Sequence, residues 1–287
     1  MDTGKLKQRA IVSSLSLTLL IITLCLSYHA IFKYLVIAIF ASCIALALWE
    51  FYQLALHKGF NPSIKLGVAS AVFYSFATFA ETQNTIFHNY SQFAFALALF
   101  AIFIRHFIKR EDAIANLSIS SFGFLYVAVS LSFLIQILHY FPEPNVTNGR
   151  WWFIYLLAVT KVTDTGAYFT GSYLGKRKLA PHLSPGKTIE GAVGGLVSGI
   201  IASLILFYLS RMNQALPLHF TLIQAIGLGA VLSISGQAGD LGESLLKRDA
   251  SVKDSNTLPG LGGMLDTVDS LLFTGPILYL FLEATTP

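Results

Sequence analysis

Apolar runs of membrane-spanning length recur along this sequence. A helix needs about 20 apolar residues to cross the roughly 30 Å hydrocarbon core of a bilayer. Only 12% of the residues are charged, about half the share found in a typical soluble domain. We therefore predict an all-α, polytopic integral membrane protein with about nine transmembrane helices and cytoplasmic polar loops. The predicted spans are 11–28, 31–48, 66–80, 93–108, 119–139, 151–163, 189–209, 220–236 and 268–283.

The positive charges predict the orientation of these spans. Lys and Arg accumulate on the cytoplasmic side of membrane proteins. With the N-terminus placed inside, all but three of the 19 Lys and Arg residues fall at cytoplasmic ends or loops, the exceptions being Lys33, Arg150 and Arg211. The distribution predicts that the polar loops face the cytoplasm and that the C-terminus lies outside.

Polar residues are concentrated in the second half of the chain. Eight of the 15 acidic residues lie between Asp164 and Asp269. We predict a transmembrane helical scaffold over 1–150 and a catalytic transmembrane region over 151–287, with cytoplasmic loops at 164–188 and 237–267. One residue of the scaffold stands apart, Glu50 in "LWEFYQL", for which an interfacial role and a functional role are both open.

Two acidic clusters with helical spacing predict a metal site. Asp240 begins a series at i, i+3, i+4 and i+7 that one helix face would carry, and Asp266 and Asp269 form a second pair at i, i+3. A glycine-rich turn, "PGLGG", lies between the clusters. Carboxylates brought together across such a turn form a hard oxygen site suited to Mg²⁺. The alternative is a solvated loop in which these carboxylates pair with Lys and Arg.

The segment "SPGKT" predicts a phosphate site. It places the hydroxyls of Ser184 and Thr188, the Gly186 backbone and the Lys187 ammonium just before a helix that begins near Ile189. A helix N-terminus with a nearby cation attracts anions. Asp164, at the end of the sixth predicted span, is expected either to cap a helix or to face the polar cavity, and we favour the cavity.

Two segments of the chain resemble the phosphatidate cytidylyltransferases, also called CDP-diacylglycerol synthases. They are "DTGAYFTGSYLGKRKLAPHLSPGKTIEG" and "GDLGESLLKRDASVKDSNTLPGLGGMLDTVDS". The chain departs from the family signature at Leu261, where the family usually has His, and at Thr267, where it usually has Arg. The positions that match the signature are Ser244, Lys247, Arg248, Lys253, Asp254, Pro259, Gly260, Gly262, Gly263, Asp266 and Asp269.

The resemblance implies a reaction and a set of partners. The family joins CTP and phosphatidic acid to give CDP-diacylglycerol and pyrophosphate, with Mg²⁺ and room for a second cation. We therefore expect CTP, phosphatidic acid and the lipid bilayer as partners and no nucleic acid, and we leave a homodimer open. The expected location is the bacterial cytoplasmic (inner) membrane, with multiple passes and a cytoplasmic active site.

The same resemblance, together with the patterns above, assigns roles to residues. The expected catalytic residues are Asp240, Lys187, Lys247, Arg248, Lys253 and Asp254. The expected metal ligands are Asp240, Asp266 and Asp269. The expected substrate-binding residues are Asp164, Ser184, Gly186, Lys187, Thr188, Glu190, Ser244, Gly260, Gly262 and Gly263.

Three other functions are weighed against this one. A CTP-dependent membrane lipid kinase would use similar phosphate chemistry but would transfer the γ-phosphate. A degenerate, non-catalytic relative would retain the fold without activity. A transporter would be expected to place polar residues at mid-membrane on broken helices, and it is disfavoured because the charges gather on one side.

The orientation can be tested with introduced cysteines. After replacement of Cys25 and Cys43, a cysteine placed at Ser184 or at Ser255 should react with a membrane-impermeant maleimide only after the cytoplasmic side is opened. Labelling of either position from outside in intact cells would contradict the predicted topology.

Overall fold

The fold is a set of helices with one short hairpin. The computed structural model describes residues 32–83, 89–108, 112–140, 149–212, 216–252 and 263–285. The elements are α1 (Phe32–His57), α2 (Ile64–Gln83), α3 (Tyr90–Ile108), α4 (Ala113–Gly123), a π-helical stretch (Phe124–Val129), α5 (Ser130–Leu138), α6 (Gly149–Leu174), β1 (Lys178–Ala180), β2 (Ser184–Thr188), α7 (Ile189–Met212), α8 (Leu222–Asp249), α9 (Met264–Val268) and α10 (Leu271–Thr285). The predicted all-α membrane class is confirmed.

The predicted number of about nine spans is not confirmed. Within the described ranges, six helical stretches are long and apolar enough to cross a membrane. The predicted span 11–28 lies outside the described residues. The spans 66–80 and 151–163 fall on α2 and α6, which are not among the six because polar residues interrupt their apolar runs. The six are Phe32–His57, Tyr90–Phe107, Ala113–Leu138, Ile189–Met212, Leu222–Asp249 and Met264–Thr285.

Both predicted cytoplasmic loops contain more regular structure than expected. Helix α6 continues through Asp164 to Leu174, so the first part of 164–188 is helical, and the rest includes the hairpin of β1 and β2. Helix α8 likewise continues to Asp249 within 237–267. The apolar pattern ends before these helices do, because their last turns carry polar side chains, which lower the local hydropathy.

The chain divides into two compact units. The first contains residues 1–135 and 249–268, and the second contains 136–248 and 269–287. The segment 249–268, which carries much of the family signature, therefore groups with the N-terminal helices. The functional division at residue 150 stays a prediction.

Aromatic and small residues pack the core of the first unit. Tyr52 is fully buried, and its hydroxyl donates to the Ser120 carbonyl at 2.7 Å. Gly67 and Gly123 lie against the Tyr52 ring, where an added Cβ would clash with ring atoms. These glycines let α2 and α4 approach α1 closely.

Glycines of α7 allow close helix packing in the second unit. A Cβ at Gly194 would overlap Thr170 of α6, and one at Gly195 would lie 3.0 Å from the Cβ of Ala167. Small residues at a helix interface let membrane helices approach and gain van der Waals contact, because lipid supplies no hydrophobic drive between them. Helices α6 and α7 are held in this way.

Buried hydroxyls add hydrogen bonds that join α6 to α7 and to α8. Tyr155 of α6 and Ser203 of α7 are joined at 2.6 Å. Thr163 of α6 and Ser233 of α8 are joined at 2.9 Å. Gly199 lies beside this second pair, and an added Cβ there would overlap both hydroxyl oxygens.

We predict that Gly199→Ala destabilises the protein, because its methyl group would push apart the Thr163–Ser233 pair. Overpacking of this kind costs about 1–3 kcal/mol. Gly227→Ala on α8 is the matched control, since a Cβ there meets nothing within 4 Å. Thermal unfolding in detergent should show a lower midpoint for Gly199→Ala and an unchanged or higher one for Gly227→Ala; equal midpoints would contradict the packing described.

Candidate active site

A cavity that contains charged side chains lies within the second unit, among α6, the hairpin, α7 and α8. Its volume is about 370 Å³. The residues predicted from sequence that line it are Asp164, Ser184, Gly186, Lys187, Thr188 and Asp240. The structure thus brings the "SPGKT" segment together with two carboxylates that lie far from it in sequence.

An ion pair is the main electrostatic feature of this cavity. Lys187 Nζ lies 2.7 Å from Asp240 Oδ2. The Lys187 side chain is 26% exposed, and its ammonium nitrogen is shielded from solvent. The pair joins β2 to α8 and places a positive and a negative charge on one cavity wall.

Asp164 adds a second carboxylate to the cavity. Lys161 lies 3.9 Å away, one turn earlier on α6, at the outer limit of an ion pair. Burial raises the pKa of the Asp164 carboxyl, and the charges of Lys161 and Lys187 oppose that rise while Asp240 adds to it. Asp164 is among the residues that line the cavity, and its role in substrate binding stays a prediction.

The hairpin presents the "SPGKT" segment to the cavity. Strands β1 and β2 are antiparallel, with Lys178 opposite Thr188 and Ala180 opposite Ser184. Helix α7 begins at Ile189, as the sequence predicted.

The first turn of α7 has backbone partners of its own. The Thr188 hydroxyl accepts the Gly191 N–H at 3.1 Å, which is the contact of an N-cap residue. The Ile189 N–H donates to the Arg177 carbonyl at 2.9 Å. These two N–H groups are therefore engaged within the protein, and positive charge for an anion comes from Lys187.

Glu190 binds the backbone just before the hairpin. Its carboxylate accepts the backbone N–H groups of Lys176 and Arg177, each at 3.1 Å. It also pairs with Arg177 Nε at 3.0 Å. Glu190 was predicted to bind substrate, and the structure gives it the contacts of a residue that orders the chain ahead of β1.

Residues of α8 beyond Asp240 support the site. Glu243 is 1% exposed and pairs with Lys247 at 2.7 Å. Of the residues predicted to share one face of this helix, Asp240 therefore lines the cavity and Glu243 lies in the interior. Arg248 Nε donates to the Leu183 carbonyl at 3.1 Å and so ties α8 to the hairpin turn. Ser244 is half-buried on the same helix.

Asp269 interacts electrostatically with the two cavity carboxylates, Asp164 and Asp240. It occupies the turn between α9 and α10, and its backbone lies against Gly239, where a Cβ would clash. The negative charges of Asp164, Asp240 and Asp269 repel one another. Such mutual repulsion favours a bound cation.

The remaining predicted site residues lie in the first unit or outside the described residues. Asp266 and Gly263 belong to the first unit, where the Thr267 hydroxyl donates to the Gly263 carbonyl at 3.0 Å. Lys253, Asp254, Gly260 and Gly262 lie outside the described residues, as do Pro259 and Leu261. Within the described part of the chain, no group of three or more His, Cys, Asp and Glu residues is arranged to hold a metal. The set Asp240, Asp266 and Asp269 stays a prediction.

Comparison with known proteins shows the family of this chain. The profile described as "Cytidylyltransferase family" matches residues 7–285. The chain belongs to the cytidylyltransferase family. It is 33% identical over 286 residues to the phosphatidate cytidylyltransferase of Chlamydia muridarum, covering 97% of this chain and 93% of that protein. It is 34% identical over 292 residues to that of Chlamydia pneumoniae, covering 98% and 93%.

A third match is shorter and has a higher identity. The chain is 42% identical over 160 residues to the phosphatidate cytidylyltransferase of Bacillus subtilis, which covers 55% of this chain and 57% of that protein. The stretch matched in this relative is shorter than in the two Chlamydia proteins, and the identity over it is higher.

Sequence analysis missed several residues that line the cavity of this cytidylyltransferase. Tyr168 and Gly171 follow Asp164 at i+4 and i+7 on α6, and Gln237 precedes Asp240 by three positions on α8. The Gln237 amide donates to the Ala192 and Ser233 carbonyls at 3.3 Å. Helical spacing would have found Tyr168 and Gly171, had α6 been predicted to continue beyond residue 163. It would have found Gln237, had the predicted span 220–236 been continued into the rest of α8.

We predict that Glu190→Ala loosens the chain around the hairpin. Its loss frees two backbone N–H groups and the Arg177 side chain, so local opening should become more frequent. Limited trypsin digestion in detergent should cleave after Lys176, Arg177 or Lys178 several-fold faster than in the parent. Glu283→Ala, at an exposed carboxylate of α10, is the control, and equal cleavage rates in the two variants would contradict the assigned role.

Proposed function

We propose that this chain transfers the cytidylyl group of CTP to phosphatidic acid at the membrane, giving CDP-diacylglycerol and pyrophosphate. The observation that carries the proposal is the placement of Lys187 with Asp164 and Asp240 in one cavity of a helical membrane protein. It is supported by the relatives named phosphatidate cytidylyltransferase, two of which the chain matches over nearly its whole length. The alternative of a CTP-dependent lipid kinase is not favoured by these relatives.

The charges of the cavity suit this reaction. A phosphate oxygen of phosphatidic acid forms a bond to the α-phosphorus of CTP, the bond from that phosphorus to the β-phosphate oxygen breaks, and pyrophosphate leaves. Both reactants are anions, so the site must neutralise charge and align the attacking and leaving oxygens. Lys187 supplies a fixed positive charge for the phosphates, and Asp240 holds its ammonium in place.

The carboxylates of the cavity fit Mg²⁺ as the cation. Mg²⁺ is commonly bound through one or two carboxylates together with substrate phosphates, and Asp164 and Asp240 offer such a pair within one cavity. Asp269 and Asp266 remain the predicted additional ligands. When bound, Mg²⁺ would supply charge stabilisation for the phosphates and the leaving pyrophosphate. A second cation and a homodimer stay predictions.

The surroundings of the cavity suit a lipid substrate. Tyr168, which lines the cavity, is 70% exposed, and the neighbouring aromatic side chain of Phe169 is 52% exposed. An apolar exposed surface beside a cavity that carries charged side chains would let acyl chains stay in the bilayer while the head group enters. We further propose that this face of the protein lies at the cytoplasmic surface of the bacterial inner membrane.

The proposed function predicts that Asp240→Asn lowers turnover by about a hundredfold or more, the loss typical of a group that organises charge at the reaction centre. Asp112→Asn is the matched control, since Asp112 is an exposed turn residue with φ of 45° and Asn tolerates that backbone geometry.

The position of the ³²P label in CTP shows which reaction occurs. With phosphatidic acid, Mg²⁺ and detergent-purified protein, α-³²P-labelled CTP should give a labelled lipid and γ-³²P-labelled CTP should not. Label from the γ position would indicate a lipid kinase, and label from neither would contradict a catalytic role. Full activity of Asp240→Asn would remove that carboxylate from the site.

A further inference from the structure

A buried carboxylate of the N-terminal helices binds the backbone of the signature segment. Glu50 lies on α1 in the stretch "LWEFYQL" and is only 1% exposed. Its Oε1 accepts the Met264 N–H at 2.9 Å, and its Oε2 accepts the Leu265 N–H at 2.7 Å. Both carboxylate oxygens are thus used on the first two residues of α9.

These contacts have a physical reason. The first N–H groups of a helix have no acceptor within that helix, and a carboxylate there also interacts favourably with the helix dipole. Helix α9 has only five residues, Met264–Val268, and such a short helix is not stable by itself. An external acceptor for its first N–H groups therefore contributes strongly to whether this turn forms.

The helix that Glu50 caps carries residues of the family signature. Gly263 immediately precedes it, Asp266 is its third residue, and its second residue, Leu265, is fully buried. Because a buried charge is costly unless it is well bonded, Glu50 favours the one backbone arrangement that satisfies both of its oxygens. That arrangement fixes where the Asp266 backbone lies.

A second contact holds the other end of the same segment. Lys58, in the turn after α1, lies 2.7 Å from the Asp249 carboxylate and donates to the Asp249 carbonyl at 3.1 Å. This pair is exposed, and exposed ion pairs contribute little to stability. Residues of the first unit nevertheless bind both ends of 249–268, and the buried contact is the one made by Glu50.

We propose that Glu50 is a positioning residue for cytidylyl transfer, which fixes the start of α9 and through it the Asp266 carboxylate. The proposal rests on the proposed function. Glu50 acts through backbone N–H groups and not on the reacting atoms. Its removal should therefore lower the rate of turnover more than it weakens the binding of CTP.

The test compares Glu50→Gln and Glu50→Ala with the parent in detergent. Gln keeps a neutral acceptor and should have an intermediate effect, whereas Ala removes the acceptor. Glu81→Gln is the matched control, since the Glu81 carboxylate accepts the Ser91 N–H at 2.9 Å in the same unit, away from the signature segment.

Two measurements are made on each protein. Steady-state kinetics should show kcat lowered by about tenfold or more in Glu50→Ala, since a single hydrogen bond to a charged group is worth about that factor and Ala removes two. The KM for CTP should change by less than about twofold. Hydrogen–deuterium exchange should show faster exchange in peptides covering 263–268 in the Glu50 variants. In Glu81→Gln both quantities should match the parent at these positions.

The outcomes distinguish a failure of this inference from a failure of the proposed function. A parent that forms no CDP-diacylglycerol would overturn the proposed function, and this inference with it. An active parent with a fully active Glu50→Ala variant would overturn the inference alone. Faster exchange throughout the Glu50→Ala protein, with kcat per folded molecule unchanged, would show a general structural role and would also overturn it.

Discussion

The close approach of α6, α7 and α8 determines where the cavity can form. Glycines on α7 and threonine and serine side chains on its neighbours replace the bulky side chains that would keep these helices apart. In lipid, such contact and the hydrogen bonds between helices supply much of the association energy. Because the three helices are held close along their apolar lengths, their polar ends converge on the hairpin, and Asp164 and Asp240 come to line the same space as Lys187.

Charged groups in this helical protein are bound by specific partners. Lys187 pairs with Asp240, Glu243 with Lys247, and Glu190 with the chain before β1. A buried charge without such partners is costly, so each of these contacts also restricts the backbone that supplies the partner. The Lys187–Asp240 pair therefore both places charge in the cavity and joins β2 to α8 in its wall.

The sequence predicted a substantial part of the site, and the failures have identifiable causes. "SPGKT", Asp164 and Asp240 line one cavity, as the residue chemistry indicated. The roles of Glu190 and Arg248 were not predictable, because their partners include backbone groups just before the hairpin, at Lys176, and in its turn, at Leu183. The spacing that put Glu243 beside Asp240 was correct for a helix, but it could not tell which of the two faces the interior.

By itself, the sequence determined the membrane class, the signature segments and the family, because apolar length and local motifs are properties of contiguous residues. Only the tertiary structure decided which carboxylate meets which cation or N–H group. Glu50 shows the difference: its sequence position left an interfacial role and a functional role open, and only the folded chain places Met264 and Leu265, more than 200 residues away, on its two oxygens. The energy of a buried charge depends on partners that the fold supplies, and local sequence does not record them.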